Sequence, residues 1–119
     1  MHVARAALPF LAFGFLGLLA IQVFLAGMAL FGAGTFAGHR DFGYLLSLLP
    51  LFLVVAALVA RAGRLVWLSV ALLVLTFVQT ALPLVREDLP YVAALHPVNA
   101  LVLVLLTATI GRRAMEQAR

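Results

Sequence analysis

The chain has 119 residues, of which 66% are hydrophobic and 10% charged, and it carries a formal charge of +4. A soluble domain of this length cannot hide so much apolar surface, because small domains bury only about 60–70% of what the unfolded chain exposes. Lipid is therefore the expected solvent, and the absence of cysteine excludes disulfides, thiolate metal sites and covalent c-type haem attachment.

The first predicted element lies in the run from Ala6 to Phe31, which is apolar apart from Gln22. A signal h-region runs to about 7–15 residues and precedes a soluble domain. This longer run, with no soluble domain after it, reads instead as a first membrane span over 8–31. Pro9 suits its first turn, where a missing N–H costs nothing. Gly14, Gly17, Gly27 and Gly32 read as close-packing or flexible points. A second span over 42–60 follows the tripeptide Gly38-His39-Arg40, and Pro50 is expected to kink it or free a carbonyl. The short turn Arg61-Ala62-Gly63-Arg64 makes the second span and the third, over 65–84, antiparallel neighbours. The fourth span, over 97–110, is the shortest; its helix starts nearer Pro90 if it breaks at Pro97. The expected fold is all-α: one integral membrane four-helix bundle over residues 1–119.

The positive charge comes from eight arginines and no lysine. Arg5, Arg61, Arg64, Arg112, Arg113 and Arg119 fall at the termini and the 2–3 turn. The opposite side holds Arg40 and Arg86 beside Asp41, Glu87 and Asp88. This bias puts both termini in the cytoplasm. It accounts for the charge by topology, so nucleic acid is not an expected partner. The expected location is a bacterial inner membrane, crossed several times.

Gln22 precedes His39 by the same interval that separates Gln79 from His96, and 57 residues separate the two pairs. With three glutamines and three histidines in the chain, the match suggests a duplicated helical hairpin, with halves over 1–61 and 62–119. An even number of spans per repeat gives parallel halves, so His39 and His96 share the outer side. Gln22 and Gln79 are expected deeper than the histidines.

These polar residues admit plain and functional readings. Each histidine could simply meet headgroups or water. As a pair they could ligate a metal: His2 lies at the other face, and two imidazoles are too few for a zinc site but suffice for the two axial positions of a haem. The i+4 residues, Gly43 and Ala100, are both small, which suits either a flat macrocycle or close helix packing. Gln22 and Gln79 read as interhelical hydrogen-bonding groups or as contacts to a ligand. Arg40 suits haem propionates through paired charge-assisted bonds, or equally a salt bridge to a nearby carboxylate. Asn99, Ser47, Ser69, Thr76 and Thr80 read as packing or backbone-bonding groups. No nucleophile–base pair, phosphate-binding loop or paired intramembrane carboxylates appear, so an enzyme is not the expected reading.

Gly38-His39-Arg40 resembles the His-Arg motif that opens the second helix of a heme A synthase half-bundle. Residues 75–82, Leu-Thr-Phe-Val-Gln-Thr-Ala-Leu, and 94–100, Ala-Leu-His-Pro-Val-Asn-Ala, resemble that family's third and fourth helices. The segment Gln22-Val-Phe-Leu-Ala-Gly27, with residues 94–100, also looks like an uncharacterised family of short four-span bacterial membrane proteins. The first resemblance implies a single four-helix unit with a histidine pair for haem. Pro83 stands where a glycine is expected, and the external cysteine pair and the loop glutamate have no counterpart. The implication is therefore a haem-binding scaffold and not haem A synthesis.

The expected function is binding of one b-type haem between His39 and His96, in electron transfer or haem handling. Arg40, Gly43, Ala100, Gln22 and Gln79 would surround it, and the partner would be a larger membrane redox complex or a second copy. The alternative is a cofactor-free structural or assembly subunit of a larger membrane complex. A quinone or lipid site at the glutamines is a third reading.

Overall fold

Inside a bilayer every backbone N–H and C=O must be satisfied within the protein, which leaves helices or closed barrels as spanning structures. The computed structural model describes residues 1–118, and all of its regular elements are helical. They are α1 (His2–Leu30), α2 (Phe36–Leu46), α3 (Leu49–Val59), α4 (Arg64–Ala81), a 3₁₀ turn (Leu82–Val85), α5 (Pro90–Ala93) and α6 (Leu95–Ala118). Among the described residues four stretches are long and apolar enough to cross a membrane: His2–Leu30, Phe36–Val59, Arg64–Val85 and Pro90–Ala118.

Three spans extend well beyond the apolar runs that mark them. The first begins at His2, so Pro9 lies inside α1 and not in its first turn; the Arg5 carbonyl loses its usual helical donor there. The fourth runs from Pro90 to Ala118, past Ile110, because Arg112, Arg113 and Glu116 continue a helix as readily as leucine does. Arg119 lies outside the described residues. The second span starts at Phe36, with the Thr35 hydroxyl accepting from the Ala37 N–H at 3.4 Å. It breaks at Ser47–Leu48 and restarts with Pro50 in the first turn of α3, where a proline needs no donor. The fourth span breaks at Ala94, between α5 and α6, one turn before Pro97.

The spans pack in a ring: α1 lies against α2, α3 and α6, while α4 bridges α3 and α6. α2 packs mainly on α1. Two tight turns connect the elements. Gly32, at φ +77°, closes α1 with bonds from Ala33 to Met28 (2.8 Å) and from Gly32 to Ala29 (3.4 Å), a Schellman arrangement. The 2–3 turn repeats it, with Arg61 at φ +50° in the glycine-like position and bonds from Ala62 to Ala57 (2.9 Å) and from Arg61 to Leu58 (3.0 Å). Arg5, Arg61, Arg64 and Gln117 line one depression, so both chain ends and the 2–3 turn share one end of the bundle.

The core runs from that end through the middle of the bundle to Leu19 and Leu46. Its largest fully buried side chains are Phe15, Leu8, Leu53, Leu65, Leu72, Leu103 and Ile110. Gly111 admits the Phe13 ring, which a Cβ would meet at 2.9 Å. Gly14, Gly17, Gly27 and Gly32, expected as close-packing or flexible points, have open space where a Cβ would stand.

Candidate functional site

On all four spans the buried stripe follows an alternating three- and four-residue spacing, and each stripe leads into a polar or small residue. On α1 the series Leu8, Ala12, Phe15, Leu19 is continued by Gln22; on α4 Leu65, Ser69, Leu72, Thr76 is continued by Gln79. Running toward the outer end, Ala60, Ala57, Leu53, Pro50 and Leu46 lead to Gly43 and His39. Ala114, Ile110, Thr107 and Leu103 lead likewise to Ala100 and His96. Residues on one such stripe share a helix face, so all six continuations point into the interior at the end away from the core. All six are only half-buried.

There they are brought together. The His39 ring Nδ1 lies 3.0 Å from the Gln22 carbonyl oxygen, and the His96 Nδ1 lies 2.9 Å from the Gln79 carbonyl oxygen. Carbonyls only accept, so each Nδ1 carries the proton and donates. A ring that is neutral then keeps its lone pair on Nε2. The two rings sit with centroids 6.0 Å apart and planes at 78°, and Phe36 stands edge-on to His39 at 6.3 Å. A backbone carbonyl holding Nδ1–H is how metal-binding imidazoles are commonly oriented.

The glutamines are level with the histidines and not deeper. An α1–α2 connection long enough to reach Phe36 drops His39 onto the Gln22 turn, and the 3₁₀ turn and α5 do the same for His96. The Gln22 Nε2 donates to the His39 carbonyl oxygen at 2.6 Å, and the Gln79 Nε2 lies 3.3 Å from the His96 Nε2. The space beside Gly43 is filled, because a Cβ there would collide with the Gln22 amide. That glycine accommodates Gln22 and leaves no open slot on its own. Buried Gln22 Oε1 has no hydrogen-bond partner. Arg40 is exposed and bonded to Asp41 at 2.8 Å, so the salt-bridge reading describes its position. Arg86 meets Glu87 at 3.8 Å on the same rim.

Asn99, which the sequence reads as a packing or backbone-bonding group, belongs to the site. Its Nδ2 donates to Gln79 Oε1 at 2.7 Å and to the Leu75 carbonyl at 2.9 Å, crossing from α6 to α4. The available signal was that the one asparagine of the chain lies three residues after His96, on the same face. Thr76, Thr80 and Ser47 do bond backbone carbonyls, at 2.7 Å, 2.9 Å and 2.7 Å, while buried Ser69 Oγ has no partner. Among the described residues no three His, Cys, Asp or Glu side chains gather at one point. The donor set at this end is therefore two imidazoles, two carboxamides of glutamine and one of asparagine.

Neither a curated protein nor a solved structure matches the chain. A family model covers 22–85 and so takes in Gln22, His39, Gly43 and Gln79, but not His96. That match spans more than half of the sequence, and the chain belongs to DUF6220, a family of unknown function.

Proposed function

We propose that the protein is a membrane four-helix bundle that binds one b-type haem through His39 and His96 and serves electron transfer or haem handling. The observation that carries this reading is the matched anchoring of the two rings. Each Nδ1–H is fixed by a carbonyl 17 residues earlier, so Nε2 is the atom each ring could offer a metal, free on His39 and met by the Gln79 amide on His96. The rings are neighbours, with centroids 6.0 Å apart, so both could serve one metal ion. Two imidazoles meet the axial requirement of a haem with no further ligand, and that ligation favours electron transfer over oxygen chemistry. The resemblance to half of heme A synthase agrees with the same two residues.

The remaining parts of the reading follow from the sequence. Two repeated hairpins, related by an axis along the membrane normal, would present the histidines at the outer side. The arginines at the opposite end would place both termini in the cytoplasm of a bacterial cell, with the protein in its inner membrane. A larger membrane redox complex or a second copy would receive the electron.

A second reading has its own support. The His96 Nε2 already meets an amide, which suits a cofactor-free subunit whose polar groups knit the helices. The visible spectrum of the protein purified after expression with ample haem separates the two. A low-spin b-type reduced-minus-oxidised signal that is lost in both His39→Ala and His96→Ala is expected. A colourless protein, or a signal that survives both substitutions, defeats the haem reading.

A further inference from the structure

Gln22 and Gln79 stand at equivalent positions, yet their amides do different things. The Gln22 Nε2 turns away from the imidazole and bonds the His39 carbonyl, whereas the Gln79 Nε2 is directed at the ring nitrogen of His96. The residues one turn away explain the difference. Gln22 reaches the carbonyl across the bare face of Gly43, where any Cβ would strike its amide nitrogen. The matching residue of the second hairpin is Ala100, which has that Cβ. Where the first hairpin has Phe42, the second has Asn99. Phe42 cannot hold an amide. Asn99 grips Gln79 Oε1 at 2.7 Å while anchored on the Leu75 carbonyl at 2.9 Å, and this turns the Gln79 NH₂ toward His96.

The tautomers follow from the same bonds. His96 donates from Nδ1, so its Nε2 is an acceptor, and the Gln79 amide supplies the donor. The His39 Nε2 receives no hydrogen bond from any described residue, its ring bonding through Nδ1 alone. One lone pair stands free and the other is engaged.

We propose that the two histidines are unequal ligands: His39 is the permanent one. His96 is exchangeable, its Nε2 released only when the Gln79 amide, clamped by Asn99, gives way. This rests on the haem reading and assigns Gln79 and Asn99 as positioning residues that set how readily His96 engages. An external ligand of iron therefore competes with His96 and not with His39, and the Gln79 hydrogen bond favours the competitor by stabilising the disengaged imidazole.

The test uses the full chain loaded with haem, read by its absorption spectrum and by carbon monoxide titration of the reduced form. His39→Ala is expected to lose the haem. His96→Ala is expected to retain it without the low-spin signal, which added imidazole restores. Gln79→Leu removes the competing donor and is expected to bind carbon monoxide roughly three- to tenfold more weakly than the unsubstituted protein, the span of one net hydrogen bond. Asn99→Leu should shift it the same way by less. Equal haem loss in the two histidine variants, or an unchanged carbon monoxide affinity in Gln79→Leu, overturns the inequality while the haem reading stands. An unsubstituted protein that takes up no haem overturns both.

Discussion

The two ends of the bundle are built on the same helical stripes and reach opposite packing states. From the end holding the chain termini to mid-span the stripes are filled by Leu8, Phe15, Leu53, Leu65, Leu72, Leu103 and Ile110, all essentially without exposure. Beyond Leu19, Leu46, Thr76 and Leu103, only Leu82 is buried among the described residues. The helices are the same and so is the spacing; the residue chemistry differs. Where the stripe is aliphatic the helices close on one another. Where it turns to Gln22, His39, Gln79, His96 and Asn99 they are held by directional bonds between individual groups. In lipid there is no hydrophobic drive to bring helices together, so packing and interhelical hydrogen bonds decide. The closed end thus serves as a frame, and the polar end is the part free to specialise.

The sharpest way to break this comparison is to empty the closed end. Phe15→Ala removes a side chain that is 2% exposed and should cost about 3–5 kcal/mol, the usual range for a buried aromatic truncated in a core. Tyr91→Ala, at a side chain 91% exposed to the surroundings of the polar end, should cost less than about 0.5 kcal/mol. Unfolding in mixed micelles, followed by helical circular dichroism, measures both. Equal losses would mean that the two ends do not differ in packing.

A smaller effect is expected at the polar end itself. Gly43→Ala places a Cβ against the Gln22 amide and must break its bond to the His39 carbonyl. Interhelical hydrogen bonds in membranes average about 0.6 kcal/mol and reach about 1.7 kcal/mol, and the loss should fall in that range. Ala100→Gly in the second hairpin should lose less, since Gln79 is held by Asn99 and makes no use of that face. A Gly43→Ala variant as stable as the parent would show that the Gln22 bond contributes nothing.

Much of this contrast could be read from sequence, and the gaps have physical causes. The number of spans, their antiparallel order and the common face of His39 and His96 follow from hydropathy and helical spacing, which act over one or two turns. Helix ends did not follow, because hydropathy marks where lipid stops and not where hydrogen bonding stops; His2–Arg5 and Arg112–Ala118 are helical outside the apolar runs. Sequence reads Asn99 only as a packing or backbone-bonding group, because its side-chain partner lies 20 positions away, on another helix. The depth of the glutamines relative to the histidines is equally hidden, since it depends on how far each connection carries the chain before the next helix begins.

Ser69 tests whether the closed end tolerates polar atoms only when they are bonded. Its neighbours on the interior stripes, Thr76 and Thr107, return their hydroxyls to the carbonyls of Leu72 and Leu103, both at 2.7 Å. Ser69 is equally buried, and its Oγ has no partner. An unpaired buried hydroxyl carries an uncompensated desolvation penalty of about 1–3 kcal/mol. Ser69→Ala should therefore leave stability unchanged or raise it by up to about 1 kcal/mol, whereas Thr107→Val should not raise it. A clear loss in Ser69→Ala under the same unfolding assay would show that the hydroxyl finds a partner in the membrane.

A further small effect is expected in the turn that closes the frame. Arg61 adopts φ +50° and Gly63 φ +54°, yet only one of the two is glycine. The left-handed region costs a residue with a Cβ roughly 1–2 kcal/mol, a penalty that glycine escapes. Glycine gives back part of this gain through the greater freedom of its unfolded chain, so Arg61→Gly should stabilise the bundle by about 0.5–1 kcal/mol. Gly63→Ala should act in the opposite direction. The arginine stands at an unfavourable backbone position, and with Arg5 and Arg64 it forms a cluster around one depression, the kind of charge excess that would orient a bundle in a membrane. Arg61→Gly should leave orientation unchanged in a terminal-reporter assay, because Arg5, Arg64, Arg112 and Arg113 remain. Arg61→Gly combined with Arg64→Ala should begin to mix orientations. Should Arg61→Gly prove neutral in stability, the turn would be strained elsewhere, and the charge would no longer be needed to explain a residue that the backbone alone disfavours.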